Sequence, residues 1–228
     1  MTFLGLCESG RQYWIKALGN PQGDLVLVSE RVVSAVGELI GAPVRPTALV
    51  EITEAVAANR PGNLSFLRSG TAHGSLHLEP ADVSDDVLYT TSDNNPTRLP
   101  ALAGLWDWCL GEDEQWIYAP SEDHSLWSFD HGLWIGQGFD WSAADAAALS
   151  QQDRRWNNRL RGADPVAFTQ VAERIEAVTA DEILGAVASV PLTWGISDTD
   201  LEALAWVLWI RRQPVAARLR ELSARATR

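Results

Sequence analysis

The chain has 228 residues, 46% of them hydrophobic, enough for one substantial core in a single large or two-lobed unit. Its formal net charge of −12 argues against a polyanion partner, because phosphate backbones are held by clustered Lys and Arg, and none is seen before the C-terminal tail. The apolar run LEALAWVLWI falls short of the roughly 20 residues of a membrane span, and the N-terminus lacks a signal-peptide pattern, so a cytoplasmic protein with no nucleic-acid or membrane partner is expected.

Residues 3–18 alternate as two strands about the turn Glu8-Ser9-Gly10-Arg11, which predicts a β-hairpin whose second strand ends at Lys16. Asn20-Pro21-Gln22-Gly23 has turn chemistry throughout. Apolar residues at Leu25, Val28, Val32, Val36, Leu39 and Ile40 then recur at helical spacing, and Gly41 with Pro43 ends that helix. The stretch PTALVEIT reads as a strand, and GNLSFLRSG with HGSLHLE as further strand or hinge segments. From residue 79 the polar, Pro-containing EPADVSDD and TTSDNNPTRLP mark a boundary, dividing one domain, 1–228, into an N-lobe of about 1–80 and a C-lobe of about 81–228. LPALAGLWDWCLG then predicts a buried helix, GEDEQWIYAPSED a loop holding a short strand, and HSLWSFDHG a buried strand with Asp130 at its end. Helical segments follow around 143–160, 164–188 and 198–226, the last with an Arg-rich end suited to a helix C-terminus. Cys7 and Cys109 lack CxxC spacing and read as reduced, buried residues.

Asp130 at a strand end sits on the rim of a sheet, where a carboxylate can face a cleft and bind a cation. Alone, Asp130 with Gly132 is also ordinary turn chemistry, Lys16 a protective strand-edge charge, and Glu30 a residue on a solvated helix face. Together they follow the order of parts in the protein-kinase fold, where a strand lysine neutralises nucleotide phosphates, a helix carboxylate orients it, and an acid after a β-strand holds Mg²⁺. The expected fold class is α+β: a two-lobed, protein-kinase-like fold with a small β-rich N-lobe, one main helix in it, and a mainly helical C-lobe.

Three stretches, ESGRQYWIKALGNPQG, VLVSERVVSAVGELIGAPV and GEDEQWIYAPSEDHSLWSFDHG, resemble the HipA-like kinases, in particular a compact bacterial branch with Asp-x-Gln-Trp and Asp-His-Gly motifs, over roughly residues 5–140. The resemblance implies an ATP-dependent phosphotransferase acting on a Ser or Thr hydroxyl of a protein substrate, or on itself, with ATP and Mg²⁺ as cofactors. By similarity Lys16 contacts the nucleotide phosphates, Glu30 pairs with Lys16, and Asp130 is the metal ligand. Gly10 is a candidate for letting the hairpin backbone approach the nucleotide. Family members usually carry Asn-x-Asp-Arg, with the Asp as base and a metal-binding Asn five residues later. Here Asp113 takes the base position, with Glu114 and Asp107 as weaker candidates. Tyr118 stands where the Asn would, a poor ligand for Mg²⁺, and Gln115 is the candidate replacement. That departure keeps a second reading open, a catalytically degenerate pseudokinase acting as a nucleotide-binding or protein-interaction module.

His73 and His77 have i, i+4 spacing, but Gly74 interrupts any helix and no third ligand follows, so zinc is not expected. His131 is read as structural, or as a hydrogen-bond partner of the acid beside it. Most of the eleven tryptophans are expected in the core and cleft walls, with one available to stack on adenine.

Overall fold

A computed structural model describes residues 1–136, 141–156 and 160–226. The N-terminal part is an antiparallel sheet of β1 (Phe3–Leu6), β2 (Gln12–Lys16), β3 (Thr47–Ile52) and β4 (Gly70–Leu76), in the order β1-β2-β4-β3. The β1-β2 hairpin forms where the alternation places it, and Gly10 in its turn takes a φ of 76°, a region glycine enters without a Cβ clash. Strand β2 is interior rather than an edge, with Lys16 opposite His73 on β4. The two-residue strand period divides its side chains. Tyr13 and Ile15 pack into a small cluster with Val50, Ile52, Leu64 and Ala72, which leaves Trp14 and Lys16 on the opposite face. Gly74 permits close packing in that cluster, since a Cβ there would stand 2.8 Å from Val50 Cγ2.

Helix α1 (Leu25–Ile40) joins β2 to β3 and ends, as its sequence predicts, at Gly41 with a φ of 70°. Its apolar stripe, including Val28, Val32 and Val36, lies in the main core. Between β3 and β4, where strand or hinge was expected, the chain forms a short helix α2 (Glu54–Ala58) and a 3-10 turn at Gly62–Leu64. Thr53 causes the helix, since its side chain caps Val56 N.

A second antiparallel sheet contains β5 (Asp82–Ser84), β6 (Trp116–Ala119) and β7 (Ser125–Ser128), in that order. Strand β5 lies in a stretch read as loop. The remaining elements are helices α3 (Asn95–Trp108), α4 (Ala146–Gln151), α5 (Pro165–Ala177), α6 (Ala180–Ala188) and α7 (Asp198–Ala226). Two helix expectations need correction. The segment expected at 143–160 is a 3-10 turn at Ala143–Asp145 followed by the short α4, with Gln152–Trp156 not helical; 157–159 lie outside the described residues. The segment expected at 164–188 is two helices, because Thr179 and Glu182 form a reciprocal capping box that starts α6 anew. Helix α7 covers the expected range up to Ala226.

Buried polar groups hold these parts together. Pro100 inside α3 has no N–H, so the carbonyl of Pro96 lacks its helical donor. Asp164 N donates to that carbonyl at 2.8 Å, while the Asp164 side chain caps Val166 N at the start of α5. Asn95, fully buried, donates to Tyr89 O and His124 O and accepts from Leu126 N, which seats α3 on β7. Arginines close several helix C-termini: Arg174 donates to Ile40 O of α1, and Arg211 to Trp108 O of α3 and Leu149 O of α4. Such sites combine carbonyl satisfaction with the favourable end of the helix dipole. Both cysteines are free, and burial pushes the Cys109 thiol up to about 12. Among the described residues no helix is long and apolar enough to cross a membrane.

Candidate active site

A cavity of about 640 Å³ lies between the two sheets. Trp14, Val83 and Ile117 line its apolar part, and Lys16, Glu30 and Asp130 its charged part. Such a volume, with an apolar wall and a few convergent polar groups, is that of a small-molecule or cofactor site.

Lys16 anchors the charged part. Its Nζ lies 2.6 Å from Glu30 Oε1 and 2.5 Å from Asp130 Oδ1. The local folding that brings them together is simple. The strand period turns Lys16 toward the cleft, α1 presents Glu30 from the same side, and β7 ends just before Asp130. Lys16 is 5% exposed and Glu30 2%, so the pair is buried, where loss of either partner strands the other charge. Burial alone would lower the Lys16 pKa, but the charges and hydrogen bonds of Glu30 and Asp130 more than reverse this and raise it above the ordinary lysine value. Burial likewise disfavours the Glu30 carboxylate, yet Lys16, a hydrogen bond from His131 and the nearby histidines hold its pKa well below the usual range.

The second Glu30 oxygen has its own surroundings. Oε2 accepts the backbone N–H of His131 at 3.1 Å, with His131 Nδ1 at 3.6 Å and His73 Nε2 at 3.9 Å. Burial outweighs the attraction of Glu30 and lowers the His73 pKa to about 4, so that its ring is neutral at neutral pH.

Asp130 has a φ of 56°, a left-handed conformation that costs a non-glycine residue about 1 kcal/mol or more. Gly132, two residues on, is required by proximity: a Cβ would stand 2.5 Å from Lys16 Nζ and 3.2 Å from Val26 Cβ. Gln115 lines the same cavity as Asp130, and its Nε2 donates to Asp113 Oδ2 at 3.0 Å. Asp113 itself, also left-handed at a φ of 58°, lines a neighbouring cavity of about 520 Å³ with Glu114 and Arg154.

The whole chain superposes on the crystal structure of CtkA, a proinflammatory kinase of Helicobacter pylori, with a TM-score of 0.62. The fold is protein-kinase-like. The match covers 100% of this chain and 92% of that one at 10% sequence identity. No family model matches the chain, and no curated protein matches it in sequence.

Within this kinase-like fold Lys16, Glu30, Asp130 and Gln115 meet at one cavity, with Asp113 attached to it through Gln115. Gly10 sits at the exposed tip of the β1-β2 hairpin and is absent from the cavity lining. Asp107 is removed from the chemistry: it is 3% exposed, accepts from Trp156 N at 2.7 Å and pairs with Arg218. Tyr118 is used structurally, its hydroxyl accepting from Leu88 N and donating to Asp86 O.

The sequence reading missed His73 and Ser75, which line the cavity from β4. Their signal was the alternation of His73, Ser75 and His77, which places all three on one face of a strand. Among the described residues no group of three or more His, Cys, Asp or Glu side chains is arranged to hold a metal ion. Asp130 and Gln115 offer hard oxygen ligands, and a nucleotide with water would complete the six-oxygen shell that Mg²⁺ prefers.

Proposed function

We propose that the chain is an ATP-dependent phosphotransferase of the HipA-like type, a single cytoplasmic domain with lobes of about 1–80 and 81–228, that phosphorylates a protein Ser or Thr hydroxyl or itself. The observation that carries the reading is Lys16 held between Glu30 and Asp130 at the wall of a nucleotide-sized cavity. In this reading Lys16, kept cationic by its two carboxylates, binds phosphate oxygens, and Asp130 with Gln115 holds Mg²⁺. Asp113 orients the acceptor hydroxyl and takes its proton, and Gln115 keeps Asp113 in register with the cleft. Mg²⁺-ATP supplies the phosphoryl group and the metal charge that offsets the negative charge of the transferring oxygens.

The test is incubation with γ-labelled ATP and Mg²⁺, reading label on the chain and on lysate proteins, beside Lys16→Ala and Asp130→Asn. Asp130 is about a third exposed at its side chain, so its variant is expected to fold and to lose all transfer. Unchanged labelling in Asp130→Asn would refute the assignment. One observation favours the pseudokinase alternative: Tyr118, in the position of the family's metal-binding Asn, is committed to hydrogen bonds with Asp86 and Leu88. A rise in melting temperature with Mg²⁺-ATP, without any label, would support that nucleotide-binding or interaction module.

A further inference from the structure

We propose that His131 is a positioning residue, a hydrogen-bonded latch that holds Asp130 beside Lys16. The inference rests on the reading of the cleft as a nucleotide site. His131 is 2% exposed and is gripped on three sides. Its backbone N–H donates to Glu30 Oε2 at 3.1 Å, its Nε2 lies 2.7 Å from Ser128 Oγ, and Trp134 meets the ring edge-on at 4.7 Å between centroids. Nδ1 has no hydrogen-bond partner and stands 3.6 Å from Glu30 Oε2. When the Ser128 hydroxyl donates to Nε2, the proton of the neutral ring is on Nδ1, facing that carboxylate oxygen.

Ser128 is itself fixed to the loop that follows α1. Its N–H donates to Pro43 O at 2.8 Å and its carbonyl accepts Arg45 N at 3.1 Å. The residues flanking Phe129 and Asp130 are therefore tied to α1 at one end and to its following loop at the other. Between these ties Asp130 keeps its φ of 56°, a left-handed conformation that Asp enters more readily than most residues with a Cβ. An apolar side chain at 131 would fill the same space without reaching Ser128. The latch thus sets how well Asp130 is presented to Mg²⁺, while Lys16 still meets the phosphates without it.

The experiment measures ATP binding by calorimetry, with Mg²⁺ and with EDTA, for the unaltered chain, Ser128→Ala, His131→Phe and the double variant. Amide hydrogen exchange at His131 is followed in the nucleotide-free proteins. Expected are an unchanged affinity in EDTA and a loss of about tenfold in the gain that Mg²⁺ confers, the double variant being no worse than either single one because one contact is shared. The backbone N–H of residue 131 should also exchange faster in each variant. If His131→Phe fails to fold, Ser128→Ala, which removes a single oxygen, decides alone. Binding by the unaltered chain, with both variants keeping the full Mg²⁺ gain and slow exchange, overturns the latch and leaves the nucleotide site standing. No ATP binding by the unaltered chain under either condition overturns the nucleotide reading and the latch with it.

Discussion

Lys16 has two carboxylates on one ammonium, both within 2.6 Å; Lys16 and Glu30 are buried, and the Asp130 side chain is about a third exposed. Removing one partner of a buried ion pair leaves the other charged and unsolvated, so Lys16→Met should lower stability by about 3 kcal/mol, measured by urea denaturation. Gly132→Ala is expected to push Lys16 Nζ, the movable end of a flexible side chain, out of its double pair and to shift Val26, 3.2 Å from the added methyl, by a few tenths of an ångström. Its Mg²⁺-ATP affinity should fall at least about tenfold, a change of roughly 1.4 kcal/mol. His73 gives a pH signature. Its folded-state pKa of about 4 lies below its ordinary value of 6.5. The unfolded chain therefore binds the extra proton first, and stability present above pH 6.5 is lost as pH falls toward 4, by up to about 3 kcal/mol. Glu30, depressed in the fold, loses stabilisation in the same direction below the ordinary carboxylate range. Denaturation midpoints at neutral and mildly acid pH should show this slope, and His73→Asn should flatten its upper part.

At the scale of elements, the arginine caps and the capping box do the joining. Arg211 donates to four carbonyls, of Asp107, Trp108, Leu149 and Gln152, with its side chain 4% exposed as a residue. Arg211→Met should cost about 3 kcal/mol or more, since each stranded carbonyl carries a desolvation penalty. Thr179→Ala should cost about 1 kcal/mol; thermal melts would check both. These contacts also explain what could and could not be read from the chain. The hairpin, α1 and the strand before Asp130 were legible because period, turn chemistry and the Gly41 stop are local signals. The break before α6 was legible in principle, as Thr179-Ala-Asp-Glu182 is a capping-box pattern, but apolar periodicity running through it hid the break. Lys16, Glu30 and Asp130, which meet at one cavity, had been singled out by their order along the chain. His73 was not, because its place beside Glu30 follows from the β2-β4 register, which no short window contains. Asp107 was a weaker candidate for the base, and only the packing of α7 against α3 reveals Arg218 as its partner.

For the molecule as a whole, a net charge of −12 surrounds a cleft whose cation is already shared between two acids. Binding of Mg²⁺-ATP should therefore depend weakly on salt, changing less than about threefold between roughly 0.05 M and 0.5 M, unlike the steep loss of a polyanion binder. A steep fall would overturn this and point to a basic track that reaches the cleft. The two sheets are joined by the chain running from His77 to Ala81, and again where Val44 bridges Ser128 and Arg45 reaches back to Leu76 O. Two seams on a small body leave little freedom for a swing about a single axis. Ligands should enter and leave by rotation of side chains at the rim, and solution scattering should give the same radius of gyration, within about 0.5 Å, with the cleft empty or filled. Binding in such a cleft would be governed by what reaches its mouth rather than by how far it opens.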